Sequence, residues 1–106
     1  MKFKAGVKLT GLQPQTLLAM QIVDRVFQEE MLREPTCTSA NDGKHMTNSK
    51  HYKGFAFDLR TKDIQTSAKL AVFNSLYERL HHIGFDVIQE SLGLDGEHLH
   101  LEYDPK

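Results

Sequence analysis

Several features that would narrow the function are scarce in this sequence of 106 residues. Its single cysteine, Cys37, excludes a disulfide within the chain and is typical of a protein made in a reducing compartment. Its formal net charge of -1 gives no general attraction to nucleic acid or to an anionic membrane. No apolar run is long enough to cross a bilayer, and no apolar stretch follows the N-terminal lysines as in a secretory signal. We therefore expect synthesis in the cytoplasm without a signal peptide, no nucleic-acid partner and no membrane insertion.

The remaining pattern predicts one α+β domain over residues 1–106, with residues 1–12 as an N-terminal arm. Apolar residues at three- and four-residue spacing predict two helices, and short alternating or β-branched segments predict four strands. The predicted helices are 15–33 and 63–83, the strands are 36–39, 55–60, 85–89 and 98–103, and a long polar loop is 40–53. This order favours a small antiparallel sheet with both helices packed on one face.

The alternation in two of these strands makes a sharper prediction. Phe57 and Leu59 point to one face of their strand, and Leu99 and Leu101 do the same in the last strand. If these apolar residues face the helices, Asp58 and His100 both lie on the opposite face of the sheet. Adjacent strands are about 4.8 Å apart, so the two side chains converge if the strands are neighbours.

Six histidines are many for a chain of this length, and two of them suit a metal site. His51, Asp58 and His100 offer the imidazole nitrogens and carboxylate oxygen that zinc prefers, with a fourth position left for water. Zinc lowers the pKa of such a water, and Glu97, on the turn before the last strand, is the candidate base that moves its proton. The sequence thus predicts a catalytic zinc site.

The other histidines have plainer interpretations. His98 is on the same strand face as His100, and we expect it to be a neighbour rather than a ligand. His81 and His82 end a predicted helix, where partial positive charge is mildly favourable, and we expect them to be ordinary surface residues. His45 lies in the polar loop and is left open between a substrate contact and an ordinary loop residue.

The combined motif resembles a known family. Ser49-x-His51-x-x-Gly54-x-Ala56-x-Asp58, followed by Glu97-x-x-His100, is similar to the zinc D-alanyl-D-alanine metallopeptidases. These include vancomycin-resistance dipeptidases, D,D-carboxypeptidases and phage L-alanoyl-D-glutamate endolysins, and they share the hedgehog/DD-peptidase fold. The resemblance covers roughly residues 36–104. It implies His51, Asp58 and His100 as Zn²⁺ ligands, Glu97 as catalytic acid/base, Ser49 near the substrate, and a peptidoglycan stem peptide as substrate.

One departure from the family pattern bears on activity. Many members carry an arginine, shortly after a Thr-Ser pair, that stabilises the oxyanion, whereas this chain has Thr38-Ser39-Ala40-Asn41. Lys44, His45 or Arg60 is expected to replace it, and losing an oxyanion donor costs about 10²–10³ in rate.

Two functions are therefore predicted. The first is a zinc peptidase that cleaves an amide bond next to a D-amino acid in the cell wall, as a phage or prophage product. The alternative is a zinc-containing binding or structural module with weak or no activity, in a phage virion or bound to the cell wall. The scissile bond, the choice between carboxypeptidase and endopeptidase, and the oligomeric state stay open.

Overall fold

The computed structural model describes residues 1–41 and 53–105, which form two helices and a five-stranded sheet in an α+β arrangement. In chain order the elements are β1 (Lys2–Phe3), α1 (Pro14–Met31), β2 (Thr36–Ser39), β3 (Ala56–Arg60), α2 (Thr66–His81), β4 (Phe85–Glu90) and β5 (His98–Tyr103). The predicted helices and strands are confirmed, with boundaries that differ by up to three residues.

The two helices begin and end where local chemistry favours it. Pro14 opens α1, since its fixed φ suits the first turn of a helix. Leu32 ends α1 in the left-handed region with φ of 54°, and its amide donates to the carbonyl of Gln28. His82 caps α2, and Gly84 follows two residues later with φ of 89°. No helix in the described ranges is long and apolar enough to cross a membrane.

The strand order in the sheet is β1-β2-β3-β5-β4. The pairs β2–β3, β3–β5 and β5–β4 are antiparallel. Strand β1 pairs parallel to β2, with Lys2 opposite Thr36 and Phe3 opposite Cys37. The sheet is therefore mixed rather than antiparallel, and the predicted arm of residues 1–12 contributes an edge strand. A two-residue strand is too short to show an alternating pattern, so it could not be predicted from hydrophobic periodicity.

The predicted facing of the strands is confirmed. Phe57, Leu59, Leu99 and Leu101 are buried and belong to one hydrophobic core with the inward side chains of both helices. The alternate side chains form the opposite surface, here called the far face. Its residues are Ala56, Asp58 and Arg60 on β3, Asp86, Ile88 and Glu90 on β4, and His98, His100 and Glu102 on β5.

Gly54 ties the start of β3 to the first turn of α1. Its φ is 77°, and a Cβ at this position would stand 2.1 Å from the carbonyl oxygen of Gly11, so a larger residue does not fit. Its own carbonyl accepts hydrogen bonds from the Thr16 hydroxyl, at 2.7 Å, and from the Gln13 amide, at 3.0 Å. The glycine of the motif thus has a packing role at the entrance to the strand that carries Asp58.

Candidate functional site

Asp58 and His100 meet on the far face as the strand pattern predicts. They are direct partners in the pairing of β3 with β5, and His100 Nδ1 lies 2.8 Å from Asp58 Oδ1. Each side chain is 14% exposed, so the pair is shielded from bulk water but not sealed from it. A nitrogen and a carboxylate oxygen this close are a suitable half of a zinc site, because two ligands of one tetrahedral zinc are about 3.3 Å apart.

The second nitrogen of His100 is also occupied. Nε2 lies 2.8 Å from Oε1 of Glu102, two residues further along β5 on the same face. Burial lowers the pKa of His100, but the hydrogen bonds and the negative charges of Asp58 and Glu102 outweigh it and raise this pKa to about 9. Without a metal the ring is therefore an imidazolium at neutral pH, and a bound cation would have to displace its Nδ1 proton.

Glu90 and His98 extend this arrangement toward the edge of the sheet. Glu90 Oε1 lies 4.0 Å from His100 Nδ1 and 3.3 Å from His98 Nε2. The other nitrogen of His98, Nδ1, is 2.6 Å from the carbonyl oxygen of Gly96. His98 is thus engaged by a backbone carbonyl and a carboxylate, and Glu90 is a second carboxylate on the Nδ1 side of His100.

Arg60 lies beside this group, in a cleft of about 420 Å³ that also reaches Asp58. Lys4 and Lys62 line the same cleft together with three acidic side chains, Asp58, Asp95 and Glu97, and Lys62 Nζ lies 3.1 Å from Asp95 Oδ1. Of the three residues proposed to replace the missing arginine, Arg60 is the one within the described ranges, and it stands near Asp58. Its guanidinium is suited to bind a substrate carboxylate or an oxyanion.

Glu97 borders the cleft, but its carboxylate is directed at helix α2 rather than at His100. It accepts hydrogen bonds from the Thr61 hydroxyl at 2.5 Å, from Lys69 Nζ at 2.9 Å and from the Gly93 amide at 3.0 Å. The side chain is 3% exposed. Glu97 therefore lines the same cleft as Asp58, but its carboxylate is bound by Thr61, Lys69 and the Gly93 amide, and its catalytic role stays a prediction.

These partners also set the protonation of Glu97. Hydrogen bonds from Lys69, Thr61 and the Gly93 amide hold its pKa at about 2, because they stabilise the ionised carboxylate more than burial disfavours it. A carboxylate with so low a pKa accepts a proton poorly near neutral pH. In this arrangement Glu97 is a buried anion that joins the 91–97 turn to α2.

The remaining predicted site residues are placed as follows. The third ligand of the predicted zinc site, His51, lies outside the described residues, as do Ser49, His45 and Lys44. At the end of α2, the ring of His81 stacks on Tyr77 with centroids 5.2 Å apart. His81 and His82 line a separate cleft with the start of β4, and Asp58 is not among the residues that line it.

Within residues 1–41 and 53–105, one set of three metal-binding side chains has its ligand atoms within 4.8 Å of one another: Asp86, Glu102 and Asp104. Oxygen-only sets of this kind suit magnesium, calcium or manganese better than zinc, and exposed acidic groups often occur without any ion. This set therefore carries no argument for zinc.

Two carboxylates that approach His100 on the far face were not singled out from the sequence. Glu102 shares the alternation that placed His100, so its position beside that ring was readable from the spacing. Glu90 lies one residue beyond the predicted end of its strand, and its approach to His100 depends on the pairing of β4 with β5, which the sequence does not specify.

Comparisons with protein families, with curated proteins and with solved structures found no match to this chain.

Proposed function

We propose that this protein is a zinc metallopeptidase that hydrolyses an amide bond next to a D-amino acid in peptidoglycan stem peptides. The observation that carries the proposal is the Asp58–His100 pair, in which a carboxylate oxygen and an imidazole nitrogen lie 2.8 Å apart on the far face. The resemblance of the sequence motif to the zinc D-alanyl-D-alanine metallopeptidases, and through them to the hedgehog/DD-peptidase fold, supports the substrate class.

In this proposal Asp58 and His100 hold the metal together with His51. Zinc, when bound, polarises a carbonyl group and lowers the pKa of a water molecule. We assign to Arg60 the stabilisation of the negative charge that develops on the substrate oxygen, which is the role of the arginine that the family pattern has elsewhere.

The proton transfer has two candidate carboxylates. Glu97 has the family spacing from His100, but to act it must exchange its bonds to Lys69 and Thr61 for a water molecule. Glu90 is already on the far face, with Oε1 4.0 Å from His100 Nδ1. Removing a general base typically lowers the rate about 10²–10⁴-fold, so the two assignments separate clearly.

The experiment is incubation of zinc-loaded protein with purified cell-wall sacculi, followed by mass spectrometry of new free amino groups. Wild type is expected to release them, and Asp58→Asn is not. Loss of release in Glu97→Gln but not in Glu90→Gln assigns the base to Glu97, and the reverse result assigns it to Glu90. Unfolding in urea confirms that each variant is folded. No release by the zinc-loaded wild type would overturn the peptidase proposal.

A second function is favoured by the burial of Glu97. Because its carboxylate is bound by three donors away from the pair, the arrangement also fits a zinc-containing module that binds cell-wall peptide with weak or no hydrolysis. In that case labelled stem peptide would bind to the zinc-loaded protein in fluorescence anisotropy, and no new amino groups would form over the same time.

A further inference from the structure

His100 is held between two carboxylates, and the two contacts are not equivalent. Nδ1 faces Asp58 across the strand pair, whereas Nε2 faces Glu102 along the same strand, each at 2.8 Å. The two nitrogens lie on opposite sides of the imidazole ring. A metal that binds both Asp58 and His100 must therefore use Nδ1, and Nε2 is left to carry a proton.

We propose that Glu102 is a positioning residue for the metal site: it accepts the Nε2–H of His100, fixes the ring orientation and leaves Nδ1 as the nitrogen that binds the metal. This inference rests on the proposed function, since it assigns the support of one of its ligands. A carboxylate that accepts the second N–H of a metal-bound histidine sets its tautomer and makes it a stronger ligand.

The surroundings of Glu102 suit this role. Its side chain is 22% exposed and stands directly across from Ala56 on β3, which is fully buried and offers no competing polar group. Asp86 and Asp104 lie close to Glu102, with one carboxylate oxygen of each of the three within 4.8 Å of the others. Asp104 supplies a control, because it belongs to this acidic group and no hydrogen bond from it to His100 is among those described.

The test measures zinc affinity by competition with a chromophoric chelator, independently of hydrolysis. Outer partners of this kind typically contribute 10–100-fold to metal affinity, so Glu102→Ala is expected to weaken zinc binding by about that factor. Glu102→Gln keeps an acceptor oxygen and should recover much of the loss. Asp104→Asn removes a neighbouring charge and should stay within about threefold of wild type.

A spectroscopic measurement separates positioning from a general structural effect. In the zinc-loaded wild type, ¹⁵N NMR of His100 should show Nδ1 bound to the metal and Nε2 protonated, and the Nε2 proton should exchange faster in Glu102→Ala. Zinc binding through Nε2, or equal zinc affinity of Glu102→Ala and wild type, would overturn this inference and leave the peptidase proposal standing. A wild type that takes up no zinc would overturn both.

Discussion

The two faces of the sheet hold their carboxylates in opposite ways. On the far face, Asp58 and Glu102 each share His100 as a partner, at side-chain exposures of 14% and 22%. On the helix face, Glu97 is bound by three donors, one of them the ammonium group of Lys69, and its side chain is 3% exposed.

The difference distinguishes a carboxylate that stabilises the fold from carboxylates that are available to bind a metal ion. A buried carboxylate that accepts hydrogen bonds from several donors of the protein stabilises the fold. Exchanging those donors for other partners costs free energy. A carboxylate that shares a histidine in a partly exposed position can exchange the histidine proton for a metal ion. We therefore propose that the far face is the side that binds the metal. The contacts of Glu97 argue against its assignment as the catalytic acid/base.

The largest expected effect on stability is that of Glu97→Gln, which leaves the charge of Lys69 without its partner. Breaking a buried ion pair from one side costs about 3 kcal/mol of unfolding free energy, measured by urea denaturation. The control is Asp95→Asn, whose partner Lys62 and own side chain are both exposed, and it should cost less than about 0.5 kcal/mol. Equal small losses in both variants would show that Glu97 is not a structural anion.

Acid should remove the contribution of Glu97 within a defined pH window. The folded state lowers the pKa of this carboxyl from 4.5 to about 2, so its stabilisation is complete above pH 4.5 and is lost as the pH falls toward 2. The difference in unfolding free energy between wild type and Glu97→Gln should therefore shrink across that window. A constant difference from pH 6 to pH 2 would contradict the assignment.

A smaller loss is expected for Thr61→Val, which keeps the shape of the side chain and removes the hydroxyl that donates to Glu97. Thr61 is 2% exposed, and a hydrogen bond to a charged group contributes about 1.5–3 kcal/mol. We expect a cost of about 1.5 kcal/mol in urea, because Lys69 and the Gly93 amide remain as donors. The same substitution should leave zinc affinity unchanged, and a coupled loss of zinc would show that the two faces are not independent.

The sequence was sufficient to predict which side chains of each strand face the core. It was not sufficient to predict which residues of other elements contact them. Alternation in β3 and β5 predicted that Asp58 and His100 share a face, because apolar residues on the other face of each strand must cover the core. In a regular strand Glu97, three residues before His100, would point to the opposite face, so its predicted role depends on the turn before β5. Gly96 allows such a turn, but the bonds to Lys69 and Thr61 decide the direction, and these depend on α2, which is distant in sequence.

The order of the strands in the sheet also could not be predicted from the sequence. The approach of Glu90 to His100 needs β4 beside β5, and the edge strand β1 is too short to show a pattern. His51, Ser49, His45 and Lys44 remain predictions from the sequence, since they lie outside the described residues.

A zinc titration of wild type, Asp58→Asn and His100→Gln in competition with a chelator, with Glu97→Gln beside them, tests directly whether Asp58 and His100 bind the metal. We expect one equivalent of zinc in wild type and about a 100-fold weaker affinity in each far-face variant, because each ligand contributes roughly a quarter of a zinc site's binding free energy. Glu97→Gln should bind zinc within a few-fold of wild type. Less than one equivalent in wild type, or unchanged affinity in Asp58→Asn and His100→Gln, would contradict this expectation.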